Sequence, residues 1–263
     1  NDVEAENVDV QSGEVAVNGT LRGNNNGNTN VTVAAKGSLG GAGTIVGTVT
    51  VDGFHRPGNS IGTQTTQGDV THNGTYVVEI LSPLKADGSD RGGQLSDKLV
   101  VDGNGNSLTI GADATVHVTP EDGVSLTRDQ FEAENTYTIV ELTNGAEGSG
   151  EYAGVTDDFA FLDPSLGYTA GDVTLTMTRV AKLPGLSGAR NDATMEAFNS
   201  DSTLSNQMGA ATEADVETWS GDVGTTTVTG TSMASGQMTG AIGQSLSGLR
   251  GTMGGPTGLN TGD

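Results

Sequence analysis

The chain has 263 residues, of which 33% are hydrophobic and 4% aromatic, with 42 glycines and a formal net charge of -22. That is thin for a broad globular core, and the negative charge repels phosphate backbones and anionic lipid surfaces, which argues against nucleic acid as a partner. The absence of cysteine excludes a disulfide scaffold and a thiolate metal site, and no run reaches the ~20 apolar residues of a membrane-spanning helix.

Low hydrophobicity with high charge is also the signature of disorder. Against it stands a period of two in Val15/Val17, Val31/Val33, Val49/Val51 and Val116/Val118, which predicts strands as far as Arg179. In chain order, short strands are expected at 8–10, 15–17, 31–34, 43–46 and 48–51, separated by Gly, Asn and Asp turns. They follow one another too closely for helical crossovers. The pattern predicts an all-β fold, a right-handed parallel β-helix (solenoid) in which each strand pairs with its equivalent ~4.8 Å away in the next coil. The Asn-rich insert 22–30 is expected to project as a loop from one corner.

The stretch Gly53-Phe54-His55-Arg56-Pro57-Gly58-Asn59-Ser60-Ile61-Gly62-Thr63 reads as a rigid corner. Pro57 fixes its own φ and holds Arg56 extended, Gly58 can take a positive φ, and Asn59 and Ser60 can bond the local backbone. From residue 68 the strands lengthen, at 75–81, 97–101, 136–142 and 172–179, with a loop at 82–95. Tyr76, Phe131, Tyr137, Tyr152, Phe159, Phe161 and Tyr168 fall here, as a wider core requires. This segment is expected to cover the open end of the coils.

Past 180 the pattern breaks at Pro184, Gly185 and Gly188. Residues 191–198 suit a short helix, Thr212-Glu213-Ala214-Asp215 opens another that runs to about Trp219, and Met238, Ile242, Leu246 and Leu249 form one apolar stripe among glycines. The predicted organisation is therefore coils at 1–67, a cap at 68–180, and a flexible, partly helical linker at 181–263.

The run Gly43-Thr44-Ile45-Val46-Gly47-Thr48-Val49-Thr50-Val51, followed by Pro57-Gly58-Asn59-Ser60-Ile61-Gly62-Thr63, resembles the C-terminal passenger region of autotransporters (type V secretion) of Gram-negative bacteria. The likeness continues in Tyr76-Val77-Val78-Glu79-Ile80, Ser96-Asp97-Lys98-Leu99-Val100-Val101 and Asn135-Thr136-Tyr137-Thr138-Ile139-Val140. The segments 159–166 and 173–179 look like the end of the family's autochaperone module, and Trp219-Ser220-Gly221-Asp222-Val223 like the lead-in to its pore helix. Phe54-His55-Arg56 stands where the family has small or apolar residues, and Gln64-Thr65-Thr66 where it has an apolar strand.

The resemblance implies a cap that folds first outside the cell and templates the coils behind it. The chain would then be the stalk and folding nucleus of a non-enzymatic passenger, an adhesin, on the cell surface or secreted. Its partners would be its own C-terminal outer-membrane β-barrel, the outer-membrane assembly machinery, and a host or surface ligand held through more N-terminal passenger. A chain that opens mid-pattern at Asn1 reads as a fragment lacking a signal, further passenger and the barrel. The rival reading is a piece of an autotransporter enzyme, a subtilisin-like protease or a polysaccharide-active β-helix.

No catalytic, cofactor or metal residue is assigned from the sequence. Gly230-Thr231-Ser232-Met233-Ala234-Ser235 imitates a subtilisin nucleophile motif but lacks the following proline and the upstream triad motifs, and His72-Asn73-Gly74-Thr75 is a poor substitute for one of them. Asp102-Gly103-Asn104-Gly105-Asn106 begins like a calcium loop but has Ser107 and Asp113 at the sixth and twelfth positions, and reads as a hairpin turn. Asp87-Gly88-Ser89-Asp90 reads as a turn. His55, His72 and His117 lack metal-ligand spacing and are expected on the surface or in turns. With only 11 Lys and Arg residues, the sequence alone does not assemble the basic-and-acidic groove of a lyase-type β-helix, and an arginine beside clustered Asp would revive that reading.

Overall fold

The computed structural model describes residues 2–122, 124, 126, 130–159, 161–169 and 172–179. Over these the chain is all β, and its strands join into a single sheet of 17 strands. The expected linker 181–263, with its helices, its 238–249 stripe and Ser232, lies outside the described residues.

The strands fall into three parallel ladders, which the chain visits in rotation. The first holds β1 (Asp2–Glu4), β3 (Thr20–Arg22), the start of β5 (Thr44–Val51), β7 (Thr63–Gln67), β10 (Lys98–Asp102) and the end of β13 (Glu134–Thr143). The second holds the start of β2 (Asn7–Ala16) and of β4 (Thr29–Gly41), the end of β5, then β8 (Val70–His72), β11 (Ser107–Ile110) and β14 (Glu147–Ser149). The third holds the ends of β2 and β4, then β6 (Phe54–Pro57), β9 (Thr75–Ile80), β12 (Thr115–Pro120) and β15 (Gly154–Asp157). Strands expected as separate pieces at 8–10 and 15–17, and at 43–46 and 48–51, are continuous here: β2 and β5 each pass through a corner, β2 with a shift of register between Val10 and Ser12.

Register stacks like on like. Val10, Val33, Val51, His72 and Ile110 form one inward column of the second ladder, and Leu39, His55, Tyr76, Val116 and Val155 form one of the third. In the first, Leu21, Ile45, Thr66, Val101 and Leu142 make a column, and Gln64, Leu99 and Val140 make another. With the apolar members almost wholly out of water except for the half-buried Leu142 and Val155, β-branched side chains at fixed register supply the packing that composition cannot supply as bulk.

Of the remaining two strands one runs against the ladders and the other returns to their direction. β17 (Asp172–Arg179) pairs antiparallel with β13 on one side and with β16 (Leu162–Tyr168) on the other. β17 thus takes up the backbone groups that β13 would otherwise leave as a free edge. Leu175 and Met177 on β17 are fully buried with Ile139 of β13. Across residue 68 the parallel ladders run on without a break, and the change of pairing comes after β15.

Two local expectations are corrected. Residues 54–57 are not part of a corner but strand β6, held in register between β4 and β9; the corner begins at Gly58. There Asn59 and Ser60 bond across the fold, to Asn18 and Glu121, rather than to the local backbone. The stretch after Asp102 is no hairpin: it links β10 of the first ladder to β11 of the second, and those two strands do not pair with each other. The insert 22–30 is as expected a corner, with a short 3-10 turn at Asn24–Asn26.

Gly58 has φ +99, and a Cβ there would stand 2.3 Å from the Asp97 carboxylate and from the Ser60 carbonyl. Gly13 also has positive φ, +76, but faces open space. Gly13→Ala should therefore cost about 1 kcal/mol, the left-handed backbone alone. Gly58→Ala should cost about 3 kcal/mol, because strain and the displaced carboxylate add. Urea denaturation of the two variants checks the difference.

Candidate functional site

Besides Thr66, three larger polar residues break the apolar columns at neighbouring levels: His55 in the third ladder, Gln64 in the first and His72 in the second. Each points inward, and they meet. His55 and His72 are each 1% exposed and Gln64 is fully buried. This corrects the expectation of surface or turn histidines. Only His117, on the outward side of β12 against Thr156 and Asp158, fits it.

The bonds fix the protons. Gln64 Nε2 donates to the carbonyls of Gly40 (2.8 Å) and Gly41 (3.1 Å), so its Oε1 faces His55 Nε2 at 2.7 Å and must accept. His55 Nε2 therefore carries the hydrogen and its Nδ1 accepts, from His72 Nε2 at 2.8 Å. His72 Nδ1 is then left to accept from the Tyr152 hydroxyl at 2.7 Å. All four ring nitrogens are satisfied with both rings neutral. Burial pushes the His55 pKa down to about 4, against the pull of the Gln64 bond. Burial, and then repulsion from His55, holds His72 well below the usual histidine range.

Tyr76 extends the cluster. Its ring stacks on His72 at 5.3 Å and on Tyr152 at 6.2 Å, while its hydroxyl donates to the Ile139 carbonyl (2.7 Å) and accepts from the Leu99 amide (3.1 Å). Next to it Asp97 is a clamp: Oδ1 accepts from the Gly62 amide and Oδ2 from the Glu79 amide, each at 3.0 Å. Burial, with Glu79 and Glu121 nearby, raises the Asp97 carboxyl to about 8, against these two donors.

On the outward face of the third ladder, Arg56, Glu14, Glu79, Asp97, Asp122 and Asn59 line a cleft of about 450 Å³. The Arg56 guanidinium also sits 5.4 Å from the ring of Phe54, itself 39% exposed. Burial, Asp122 and Glu121 raise the Glu79 pKa, and Arg56 opposes them; among the described residues the buried Glu79 Oε2 has no hydrogen-bond donor. A groove of acids around one arginine is therefore present, contrary to the sequence expectation. The register of β6 and β9 brings Arg56 and Glu79 to one face, although they are 23 positions apart in the chain.

The Asp87 carboxylate is satisfied within its own turn and that of Asp102 by the neighbouring corner at 143–144. Asp102 Oδ1 accepts from Thr143 Oγ1 and Asn144 Nδ2, and Asp87 Oδ1 from the Ser89 amide and hydroxyl. Among the described residues no group of three His, Asp or Glu is placed to hold a metal ion. No protein-family model matches the chain, and no curated protein matches it.

Two measurements follow. Tyr76→Phe orphans the Leu99 amide and the Ile139 carbonyl in the core and should cost roughly 2–4 kcal/mol in denaturation. Tyr168→Phe, which loses one partly exposed bond to the Tyr152 amide, should cost under about 1 kcal/mol. The second is a pH profile. Because its folded value lies above the unfolded one, Asp97 contributes stability that is complete below pH 3.8 and is lost as pH rises through 8. Above pH 6.5 the buried histidines are neutral folded or unfolded. Stability should therefore fall between pH 6.5 and 8.5, and Asp97→Asn should flatten that fall.

Proposed function

We propose that residues 2–179 are the coils and cap of a right-handed parallel β-helix, the stalk and folding nucleus of an autotransporter passenger on or released from a Gram-negative cell. In this reading the fragment is not an enzyme. Its partners are its own outer-membrane barrel and the assembly machinery, and the full passenger serves adhesion.

The observation that carries the reading is how the resembling motifs meet. Asp97 of Ser96-Asp97-Lys98-Leu99 bonds the Gly62 amide of Pro57-Gly58-Asn59-Ser60-Ile61-Gly62-Thr63 and the Glu79 amide of Tyr76-Val77-Val78-Glu79. Tyr76 of the latter bonds the Ile139 carbonyl of Thr136-Tyr137-Thr138-Ile139. Motifs that are far apart in sequence and joined by bonds from buried side chains are what a nucleus consists of. Three parallel ladders joined by short corners, with an antiparallel pair at the end, further support it.

In the full-length protein Ile139→Asp or Leu175→Asp, each placing a charge at a fully buried position, should hold the passenger in the periplasm. Protease accessibility on intact cells reads this out. Normal surface display of both variants would contradict a nucleating cap.

A second reading, a polysaccharide-active β-helix, is favoured by the Arg56 groove. There Asp97 retains its proton to about pH 8, as a general acid requires. Release of reducing ends from neutral polysaccharides, abolished by Glu79→Gln with stability retained, would establish it; absence of turnover returns the first reading.

A further inference from the structure

The His55, His72 and Tyr152 chain crosses the fold along its stacking direction. His55 lies on β6 and His72 on β8, two strands further along in the ladder rotation. Tyr152 lies in the corner between β14 and β15, reached after β11 and β12 have intervened. Its hydroxyl is thus a bond between segments that share no strand pairing.

The hydrogen-bond geometry admits one added proton and not two. If His55 becomes a cation, its Nδ1–H points at His72 Nε2, which must then accept. His72 has to move its hydrogen to Nδ1 and donate to the Tyr152 oxygen, and the Tyr152 O–H must turn away from its only ring partner. Every bond of the chain reverses, and none is lost between the rings. A second proton, on His72 Nε2, sets N–H against N–H across 2.8 Å with no acceptor between.

The groups that face the rings give no relief. They are neutral Gln64 from β7, Tyr76 from β9 and Tyr152 itself, and burial pushes both tyrosines away from ionisation. The nearby carboxylates act elsewhere, Asp97 on Tyr76 and Glu151 on Tyr168.

We infer that this chain is a proton-operated latch, closed on the Tyr152 corner while both rings are neutral and opened by the uptake of two protons. Opening frees β14 and β15 from the strands before them and leaves the ladders of β2 and β4 in place. The latch belongs to the fold and does not depend on the secretion role proposed above.

Hydrogen exchange on the full chain between pH 7.5 and 4.5, corrected for intrinsic rates, tests it. Each proton taken up on opening lowers protection about tenfold per pH unit below the unfolded histidine value near 6.5. Amides of β14, β15 and Ala153 should lose clearly more than tenfold, approaching about a hundredfold, per pH unit, while those of β2 and β4 keep their protection. His72→Gln retains one donor and one acceptor but cannot titrate, and should reduce the slope at β15 to tenfold or less. Tyr152→Phe removes the tether without removing a titrating group, and should lower protection at pH 7.5 while keeping the slope. Equal acid loss in β2 and β15, or a wild-type slope in His72→Gln, would overturn the latch. If His72→Gln does not fold, the wild-type contrast between β2 and β15 together with Tyr152→Phe decides the matter.

Discussion

A buried amide that can neither move nor go unpaired governs the middle of this fold. Gln64 occupies a place in a column otherwise filled by Leu99 and Val140, and its NH2 group is committed to two backbone carbonyls at the corner that ends β4. Its oxygen is then aimed at His55, and that direction propagates through His72 to Tyr152. An unsatisfied member of such a chain would cost about 1–3 kcal/mol. A slip of one residue in any contributing strand would turn its polar side chain outward and a residue from its outward face inward. The network therefore fixes register, which columns of interchangeable valines specify weakly.

Asp97 and Tyr76 carry the same constraint outward. Gly58 must be glycine because its backbone turns with positive φ where the Asp97 carboxylate approaches. The carboxylate approaches because it accepts from Gly62 and Glu79. Tyr76 fills the core beside the imidazoles and satisfies one amide and one carbonyl from two further strands. The loop 82–95 is free to bulge because its ends are pinned, at Leu81 by the Leu95 carbonyl and at Asp97 by its side chain.

The sequence makes the strand positions legible wherever valine alternates, because burial on one face enforces a period of two. It makes the parallel pairing legible because short strands without helices leave few other solutions. The histidines were misread for a physical reason. Val70-Thr71-His72 keeps the parity of Val49-Thr50-Val51, so position alone puts His72 inward, yet histidine suits the interior only when both ring nitrogens find partners. Those partners, Gln64, His55 and Tyr152, lie 8, 17 and 80 residues away, the first through His55. The two stretches that depart from the autotransporter pattern, 54–56 and 64–66, are the ones that supply His55 and Gln64. The groove around Arg56 was hidden for a similar reason, since its carboxylates come from β2, β9 and the segments around residues 97 and 122.

The central claim is that one fixed order of protons ties the third, fourth and last rounds of strands together. Nitrogen NMR of the imidazole rings in the full chain at neutral pH tests it most directly. The account predicts that His55 and His72 both carry hydrogen on Nε2 and none on Nδ1, with slowly exchanging ring N–H signals that persist unchanged to about pH 5, while His117 behaves separately. Rapidly exchanging tautomer mixtures at His55 and His72, titrating together near 6.5, would contradict it.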